Sequence, residues 1–382
     1  MTKTKTFNNI HRAFFLSRPN RFIVECLLNN EKIRAYLPNP GRLWELLLPG
    51  AIVYLEKKAS VPEKKTVHTC VAVEKEGSPV MLHTHHTNTV AHELIEQGRI
   101  PGLEGYKVVR PEVPFKNSRF DFLLEKKGTQ FVLEVKSCTL FGKEIAMFPD
   151  AVTARGKKHL EELSLLSRRG TKGGILFLVH WPSAHYFMPE YHTDPAFSRS
   201  LYENRQGIFI RAISVQWKRD LTIGNSTSEL EIPWKLIGEE ARDRGSYIII
   251  LKMKKNQKFP VGEHRGVQFK KGYYLYVGSA RKNLAQRINR HRRLRKKLFW
   301  HIDYLRERSD FITALPVRTQ DPLECEIAKA LRGISDWSID GFGASDCSCR
   351  THLFGMNENP TTSPQFIHTL LYFRIDMLNN HL

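Results

Sequence analysis

Asp121, Glu134 and Lys136 stand at spacings that could do hydrolytic chemistry. The runs Phe120 to Glu125 and Gln130 to Lys136 flank Lys126-Lys127-Gly128-Thr129, and a Lys-Gly pair between two such runs reads as a two-residue hairpin loop. That loop places Asp121 opposite Glu134, and the period of two along a strand puts Glu134 and Lys136 on one face. Two carboxylates facing each other across adjacent strands repel unless a cation lies between them, and such oxygen ligands suit Mg²⁺ or Mn²⁺. A metal there could acidify a bound water and neutralise a phosphoryl group, with Lys136 orienting the water or stabilising the pentavalent oxyanion. By spacing alone, an ordinary amphipathic surface hairpin explains the three residues equally well. A second cluster, Cys347-Ser348-Cys349 with His352, supplies three zinc ligands, and His301 or Cys325 would have to be the fourth. Its spacing is tighter than the usual C-x₂₋₄-C, which argues against a structural Zn²⁺ at Cys347, Cys349 and His352.

The elements that must position these residues fall into blocks. Short β-rich runs at Phe22–Leu28, Lys32–Leu37, Ala51–Glu56, Val67–Glu74 and Val80–His83 are separated by turn signals at Asn29-Asn30, Pro38-Asn39-Pro40-Gly41 and Gly77-Ser78-Pro79. Five strands suit a small barrel. Arg18, Arg21, Arg34 and Arg42 alternate there with Phe22, Tyr36 and Trp44, the mix of cations and rings that single-strand-binding barrels use, although each ring taken singly fits a barrel core as well. From Asn88 to Trp234 the pattern becomes α/β, with helices at Thr89–Gln97 and Ala151–Ser167 and strands at Arg119–Glu125, Thr129–Val135 and Gly174–Val179. A charged linker, Glu239 to Gly245, precedes another α/β unit with strands Tyr247–Lys252 and Tyr273–Val277 and helices Asn283–Lys297 and Leu323–Leu331. The expected domains are 1–86, 87–237 and 245–357, with a C-terminal tail at 358–382.

Composition sets the class of partner. The 382 residues correspond to about 2.5 domains. A net charge of +20 on a chain that is 41% hydrophobic describes a folded basic protein and raises the prior for a polyanion. Most of the excess is local, because Lys252 to Lys297 holds 16 basic residues and the single acid Glu263. No run is long and apolar enough to span a bilayer, no secretory leader is visible, and six irregularly spaced cysteines make no disulfide framework, so a cytoplasmic protein with reduced thiols and no membrane partner is expected. Walker-type and Gly-x-Ser-x-Gly motifs are absent.

The blocks Arg-Pro-Asn-Arg-Phe (18–22), Leu-Pro-Asn-Pro-Gly-Arg-Leu (37–43), Asn-Ser-Arg-Phe-Asp-Phe-Leu-Leu (117–124), Glu-Val-Lys-Ser-Cys-Thr-Leu (134–140) and Phe-Pro-Asp-Ala-Val-Thr-Ala-Arg-Gly-Lys-Lys-His-Leu-Glu-Glu-Leu (148–163) closely resemble the sugar fermentation stimulation protein (SfsA) family over roughly residues 10–235. The resemblance implies an OB-like barrel, a PD-(D/E)XK nuclease-type domain with Asp121, Glu134 and Lys136 as its site, non-specific DNA binding, and a regulatory link to sugar (maltose) metabolism genes. A non-catalytic DNA-binding regulator is the rival reading. Arg155, Lys157 and Lys158, in the last block, could hold phosphate beside Arg18, Arg21 and Arg42, and Glu93 could add a metal ligand. His83, His85 and His86 invite a metal reading too, since His83 and His85 share a strand face, but they lie outside the resembling blocks.

A second resemblance covers about residues 245–355. Gly245-Ser246-Tyr247-Ile248-Ile249, Tyr274-Leu275-Tyr276-Val277-Gly278-Ser279-Ala280 and Asn283 to Ile288 resemble the GIY-YIG nuclease domain, and Trp300 to Leu305 with Gly341 to Cys347 look like its DUF123 branch. By that motif Tyr247 and Tyr276 would orient or deprotonate water, Arg287 would steady the phosphate, and Glu324 would hold a metal, with Glu326 in reserve. Ser246 and Ser279 depart from the motif, and the second departure puts the substrate class in doubt. Arg290, His291 and Arg292 fall on the same predicted helix as phosphate contacts. The whole reads as a multidomain protein, an OB-like barrel and a PD-(D/E)XK-type domain followed by a GIY-YIG-type domain, acting with Mg²⁺ on nucleic acid. DNA is the expected partner, and nothing in the residues separates it from RNA.

Overall fold

A computed structural model describes residues 7–58 and 66–382, and the chain packs as two compact units that divide between Ile237 and Gly238. The first unit opens with a barrel. Strand β1 (Ile10–Asn20) is long enough to pair antiparallel with both β2 (Ile23–Leu28) and β4 (Ile52–Lys57). β3 (Glu31–Tyr36) pairs with β2, β5 (His68–Lys75) pairs with β4, and a short parallel pairing of β3 with β5 at Ala35–His68 and Tyr36–Thr69 closes the ring. Closure leaves the five strands without a free edge. β6 (Ser78–Met81) extends the sheet from β5 outside that ring.

Two expectations change here. The strand missing from the sequence reading is β1, whose apolar run Ala13-Phe14-Phe15-Leu16 hides its period of two: Ala13 and Phe15 are buried while Phe14 and Leu16 face outward. The histidine segment is not a strand, because β6 ends at Met81 and Thr84–His86 forms a 3₁₀ turn. His83 packs its ring 4.4 Å from that of His86, and burial, with the neighbouring His86, pushes its pKa down to about 3. It is a neutral core histidine.

The rest of this unit is built on a sheet ordered β15–β14–β12–β9–β8–β7, comprising β7 (Lys107–Phe115), β8 (Ser118–Lys126), β9 (Thr129–Cys138), β12 (Lys172–Val179), β14 (Phe209–Trp217) and β15 (Ile223–Glu229). β10 (Leu140–Phe141), β11 (Ile145–Phe148) and β13 (Tyr186–Pro189) form a small side sheet. Helix α1 (Thr87–Glu96) precedes β7, α2 (Ala154–Arg168) leads into β12, α3 (Pro195–Glu203) leads into β14, and α4 (Trp234–Glu240) closes the segment. The β8–β9 hairpin turns on Lys127 (φ +47°) and Gly128 (φ +77°), the positive φ pair a two-residue hairpin requires, and its register runs from Lys126–Thr129 to Phe122–Leu133. β9 continues in parallel beside β12, with Ile175 opposite Glu134 and Phe177 opposite Lys136. Leu160 and Leu163 of α2 are buried with Phe120, Val132 and Phe177 in the core.

The second unit is an antiparallel sheet ordered β20–β16–β19–β22–β21: β16 (Gly245–Met253), β19 (Gly272–Ala280), β20 (Asp310–Arg318), β21 (Trp337–Ser338) and β22 (Leu353–Met356). A hairpin of β17 (Gln257–Val261) and β18 (His264–Phe269) stands beside it, and α5 (Leu284–Arg292), α6 (His301–Arg306) and α7 (Glu324–Ile334) complete the layer. α5 is shorter than predicted. Arg293 is already extended (φ −64°, ψ 138°), and Lys296 folds back to donate to the carbonyls of Arg290 and His291 at 3.2 Å, a cation capping the helix's negative end. The expected tail is no tail: α8 (Pro364–Arg374) buries Phe366, Ile367, Leu370 and Phe373, and Arg374 Nε donates to the Pro316 carbonyl at 2.9 Å. Among the described residues no helix is long and apolar enough to cross a membrane.

Candidate functional site

In the first unit the hairpin, α1 and α2 converge on a cleft of about 570 Å³ lined by Asn88, Asp121, Glu134, Lys136, Thr153 and Arg155, with Arg21 and Asn39 from the barrel. The β8–β9 ladder stops at Phe122–Leu133, one step short of Asp121 and Glu134. Beyond it Asp121 Oδ2 accepts from Val135 N at 2.7 Å, and Oδ1 accepts from Asn88 Nδ2 at 2.7 Å. Glu134 is 2% exposed; its Oε1 contacts Lys136 Nζ and lies 2.6 Å from His159 Nδ1, whereas its buried Oε2 has no hydrogen-bond partner. Burial and the Glu134 charge raise the Asp121 pKa. Burial pushes Glu134 up as well, but His159 and Lys136 outweigh it and hold that carboxyl below its ordinary value. The pair is therefore differentiated, one acid held ionised beside another that resists ionisation. Asp121 with the orphaned Glu134 oxygen forms an all-oxygen donor set that fits a hard divalent cation.

In the second unit a cavity of about 310 Å³ collects Tyr247, Tyr276, Gly278, Ser279, Arg287, His291, Phe299, Trp300 and Glu324. Tyr247 pairs with Gly278 across β16–β19, which brings it onto the same face as Tyr276 with ring centroids 6.4 Å apart. Gly278 is required there, since a Cβ at that position would lie 2.4 Å from the Tyr247 hydroxyl oxygen. That hydroxyl is 2.9 Å from His291 Nε2. Burial raises both tyrosines, with the neighbouring Tyr276 and Glu324 charges next in order, and burial lowers His291 against the pull of Asp303. Asp303 lies 3.7 Å from His291 Nδ1, and takes Arg290 and Lys296 at 2.9 Å each. Burial would push Glu324 up, but hydrogen bonds from His352 and Ser279 hold it below its ordinary value. Arg287 Nη1 donates to the Ser279 carbonyl at 2.7 Å while the residue stays exposed beside Trp300.

Comparison with known proteins follows the same division. Residues 16–82 match the SfsA N-terminal OB domain, residues 85–220 the sugar fermentation stimulation protein RE domain, and residues 246–373 a domain of unknown function, DUF123. A sugar fermentation stimulation protein homolog of Methanothermobacter thermautotrophicus is 38% identical over 190 residues, covering 50% of this chain and 79% of that protein. The chain belongs to the sugar fermentation stimulation protein family. A homolog of Moorella thermoacetica is 40% identical over 51% of this chain and 84% of its own length. A solved structure of Pyrococcus furiosus SfsA in complex with Ca²⁺ superposes with a TM-score of 0.55 at 30% identity, over 61% of this chain and 99% of that one.

Within this sugar fermentation stimulation protein, the structure gathers Asp121, Glu134 and Lys136 in one cleft and Tyr247, Tyr276, Arg287 and Glu324 in one cavity, and leaves Glu326 outside the cavity. Several expected phosphate ligands do something else. Arg18 spends its guanidinium on the carbonyls of Arg21, Asn39, Gly41 and Arg42, which fixes that loop. Arg42 bonds Asp150 and Thr193 and lies 4.9 Å over Trp44, clamping the barrel to the sheet domain. Lys157 pairs with Glu161 on its own helix, and Lys158 with Glu162. Arg290 is tied to Asp303 and stacked 4.1 Å over Trp300. His291 is 1% exposed and serves Tyr247 instead of solvent. Glu93 bonds Gln97 away from the cleft, and Asn88 on the same helix reaches Asp121 instead. Arg21, Arg155 and Arg292 remain exposed. His159, Asn88 and Asp303 were missed; His159 had a signal, because it follows Arg155 by one helical turn and Arg155 Nε bonds its Nε2 at 3.3 Å.

Proposed function

We propose that the chain is a divalent-cation-dependent nuclease that hydrolyses phosphodiester bonds in DNA, with one site in each unit and a GIY-YIG-type second unit. The observation that carries the reading is the buried, unpartnered Glu134 Oε2 beside Asp121, a carboxylate arrangement whose burial a cation relieves. Asp121 and Glu134 would hold Mg²⁺ or Mn²⁺ in the first site, and Glu324 in the second. When bound, the ion supplies Lewis-acid charge on the phosphoryl oxygen and an acidified water. In the first cleft His159 fixes the orientation of Glu134, and the Lys136 ammonium, resting on Glu134, stabilises the developing oxyanion. Arg155 at the rim positions the phosphate. The relative in complex with Ca²⁺, another oxygen-seeking ion, supports the cation.

In the second cavity Tyr247 faces His291, whose pKa burial lowers, so its hydroxyl proton has an acceptor as the tyrosine takes a proton from water. Arg287 steadies the phosphate, and Phe299, 73% exposed, offers a ring on which a base can stack. The test is a panel of single-stranded, double-stranded, nicked and branched DNA and RNA, with Mg²⁺ or EDTA, incubated with wild type, Asp121→Ala, Glu324→Ala and the double variant. Cleavage lost in EDTA and in the double variant is expected. Intact substrates throughout, with binding retained, would replace the nuclease by a DNA-binding regulator, and cleavage of RNA alone would change the substrate.

A further inference from the structure

We propose that Cys325, Cys347, Cys349 and His352 form a Zn²⁺ site that fastens the loop before β22 to the first turn of α7. Among the described residues this is the group whose ligand atoms gather closely enough to hold a metal, one atom from each lying within 4.8 Å of every other. Three stretches of chain converge on it. Cys325 is the second residue of α7, Cys347 and Cys349 stand on the loop that follows Gly341 and Gly343, and His352 immediately precedes β22. The loop is closed at its base, Gly341 N donating to the Arg350 carbonyl at 2.9 Å and His352 N to the Phe342 carbonyl at 2.8 Å. The His352 carbonyl in turn accepts from Val277 N of β19 at 2.9 Å. The two cysteines are thus presented from a short backbone ring tied to the sheet, and their tight C-x-C spacing is overcome by the fourth ligand arriving from a distant helix.

The donor chemistry and the distances agree. Three sulfurs and one nitrogen are a soft set that selects zinc over Mg²⁺ or Ca²⁺, and four protein ligands leave no open position, as in structural sites. Bonds of about 2.2 Å give a tetrahedral edge of about 3.6 Å. Cys347 Sγ and His352 Nε2 are 3.5 Å apart. On the other side of the ring His352 Nδ1 lies 3.2 Å from Glu324 Oε1, which leaves Nε2 to face the metal and supplies the carboxylate–histidine support that metal sites use. Since Glu324 also lines the cavity with Tyr247 and Tyr276, the ion would hold one wall of that cavity in place. The zinc site rests on these contacts alone, independently of nuclease activity.

The full chain, purified under reducing conditions without chelator, is expected to carry about one zinc per molecule by elemental analysis. Co²⁺ titrated into the stripped protein is expected to give thiolate-to-metal charge-transfer and tetrahedral visible bands. Cys349→Ser and His352→Ala lose both signals, Cys26→Ser keeps them, and Glu324→Ala binds zinc about 10–100-fold more weakly. Thiol titration of wild type covers the case of a variant that fails to fold: a chelator should expose the thiols of Cys325, Cys347 and Cys349 to reagent. A zinc-free preparation with no cobalt thiolate band, or a Cys347–Cys349 disulfide under those conditions, would overturn the site, and unchanged affinity in Glu324→Ala would remove the carboxylate link.

Discussion

His291 Nε2 lies 2.9 Å from the Tyr247 hydroxyl, and both side chains are buried. The contact makes the histidine a partner of the tyrosine and withdraws it from the exposed face of α5. Tyr247→Phe should lower cleavage by the second unit about 10²–10⁴-fold, the usual worth of a positioned acid or base. His291→Gln, which can still accept a hydrogen bond, should lose less than His291→Ala in the same single-turnover assay. Equal activity of Tyr247→Phe and wild type would remove the tyrosine from the chemistry.

Gly278 is where that geometry is most easily broken. Its absent Cβ leaves the space that the Tyr247 hydroxyl fills, at 2.4 Å from where the carbon would stand. Gly278→Ala should destabilise the second unit by about 1–3 kcal/mol, the cost of overpacking, and displace the ring. Chemical denaturation and the near-ultraviolet tyrosine signal would report the two effects.

Asp303 is fully buried and holds Arg290 and Lys296 at 2.9 Å. Burial opposes its charge, but nearby His291 and the Arg290 and Lys296 cations that bond it dominate and put its pKa far below the ordinary carboxylate value. A depressed carboxyl contributes stability that is present above its unfolded pKa and is lost as pH falls below it. Thermal melts should therefore lose stability progressively as pH is lowered from about 5, over a range that Asp303→Asn abolishes. At neutral pH the same variant should cost about 1–3 kcal/mol, because Arg290 and Lys296 lose the carboxylate between them while Lys296 keeps the carbonyls of Arg290 and His291.

Arg155 and Lys157 are two residues apart on α2 and are expected to behave differently. Arg155 lines the cleft, whereas Lys157 is paired with Glu161. Arg155→Ala should weaken nucleic-acid binding and reduce the salt slope by about 1, as loss of one phosphate contact does, and Lys157→Ala should leave the slope unchanged. Titrations at several salt concentrations decide it.

Mg²⁺ should raise the melting temperature of the first unit, since an ion that binds only the folded state stabilises it. Asp121→Asn should abolish that shift and change the metal-free melting temperature little, because it removes the repulsion between the half-buried Asp121 carboxylate and that of Glu134 while giving up the acceptor of one hydrogen bond. Differential scanning calorimetry with and without Mg²⁺ separates the two effects.

Much of the first site was legible because a hairpin is a local object. Lys127-Gly128 forces one loop, the loop forces one register, and the register brings Asp121 beside Glu134, with no distant information needed. β1 was illegible because its apolar residues occupy both faces, which erases alternation. The length of α5 was illegible because helical spacing continues through a run of cations whose fate depends on Asp303, a residue beyond the helix.

Residue order alone carries the family, the hairpin, the chemical types at each site and the concentration of charge in the second unit. Which charges are free is set by packing. Arg18, Arg42 and Arg290 read as phosphate ligands in one dimension, yet each is engaged by a carbonyl or carboxylate that folding brings to it. Packing also decides that Cys325, more than twenty positions away in the chain, meets Cys347, Cys349 and His352. The reason is the same in both cases: residue type and short spacing are encoded locally, whereas the partner that neutralises a charge or completes a ligand set comes from another element and exists only once the sheets have packed.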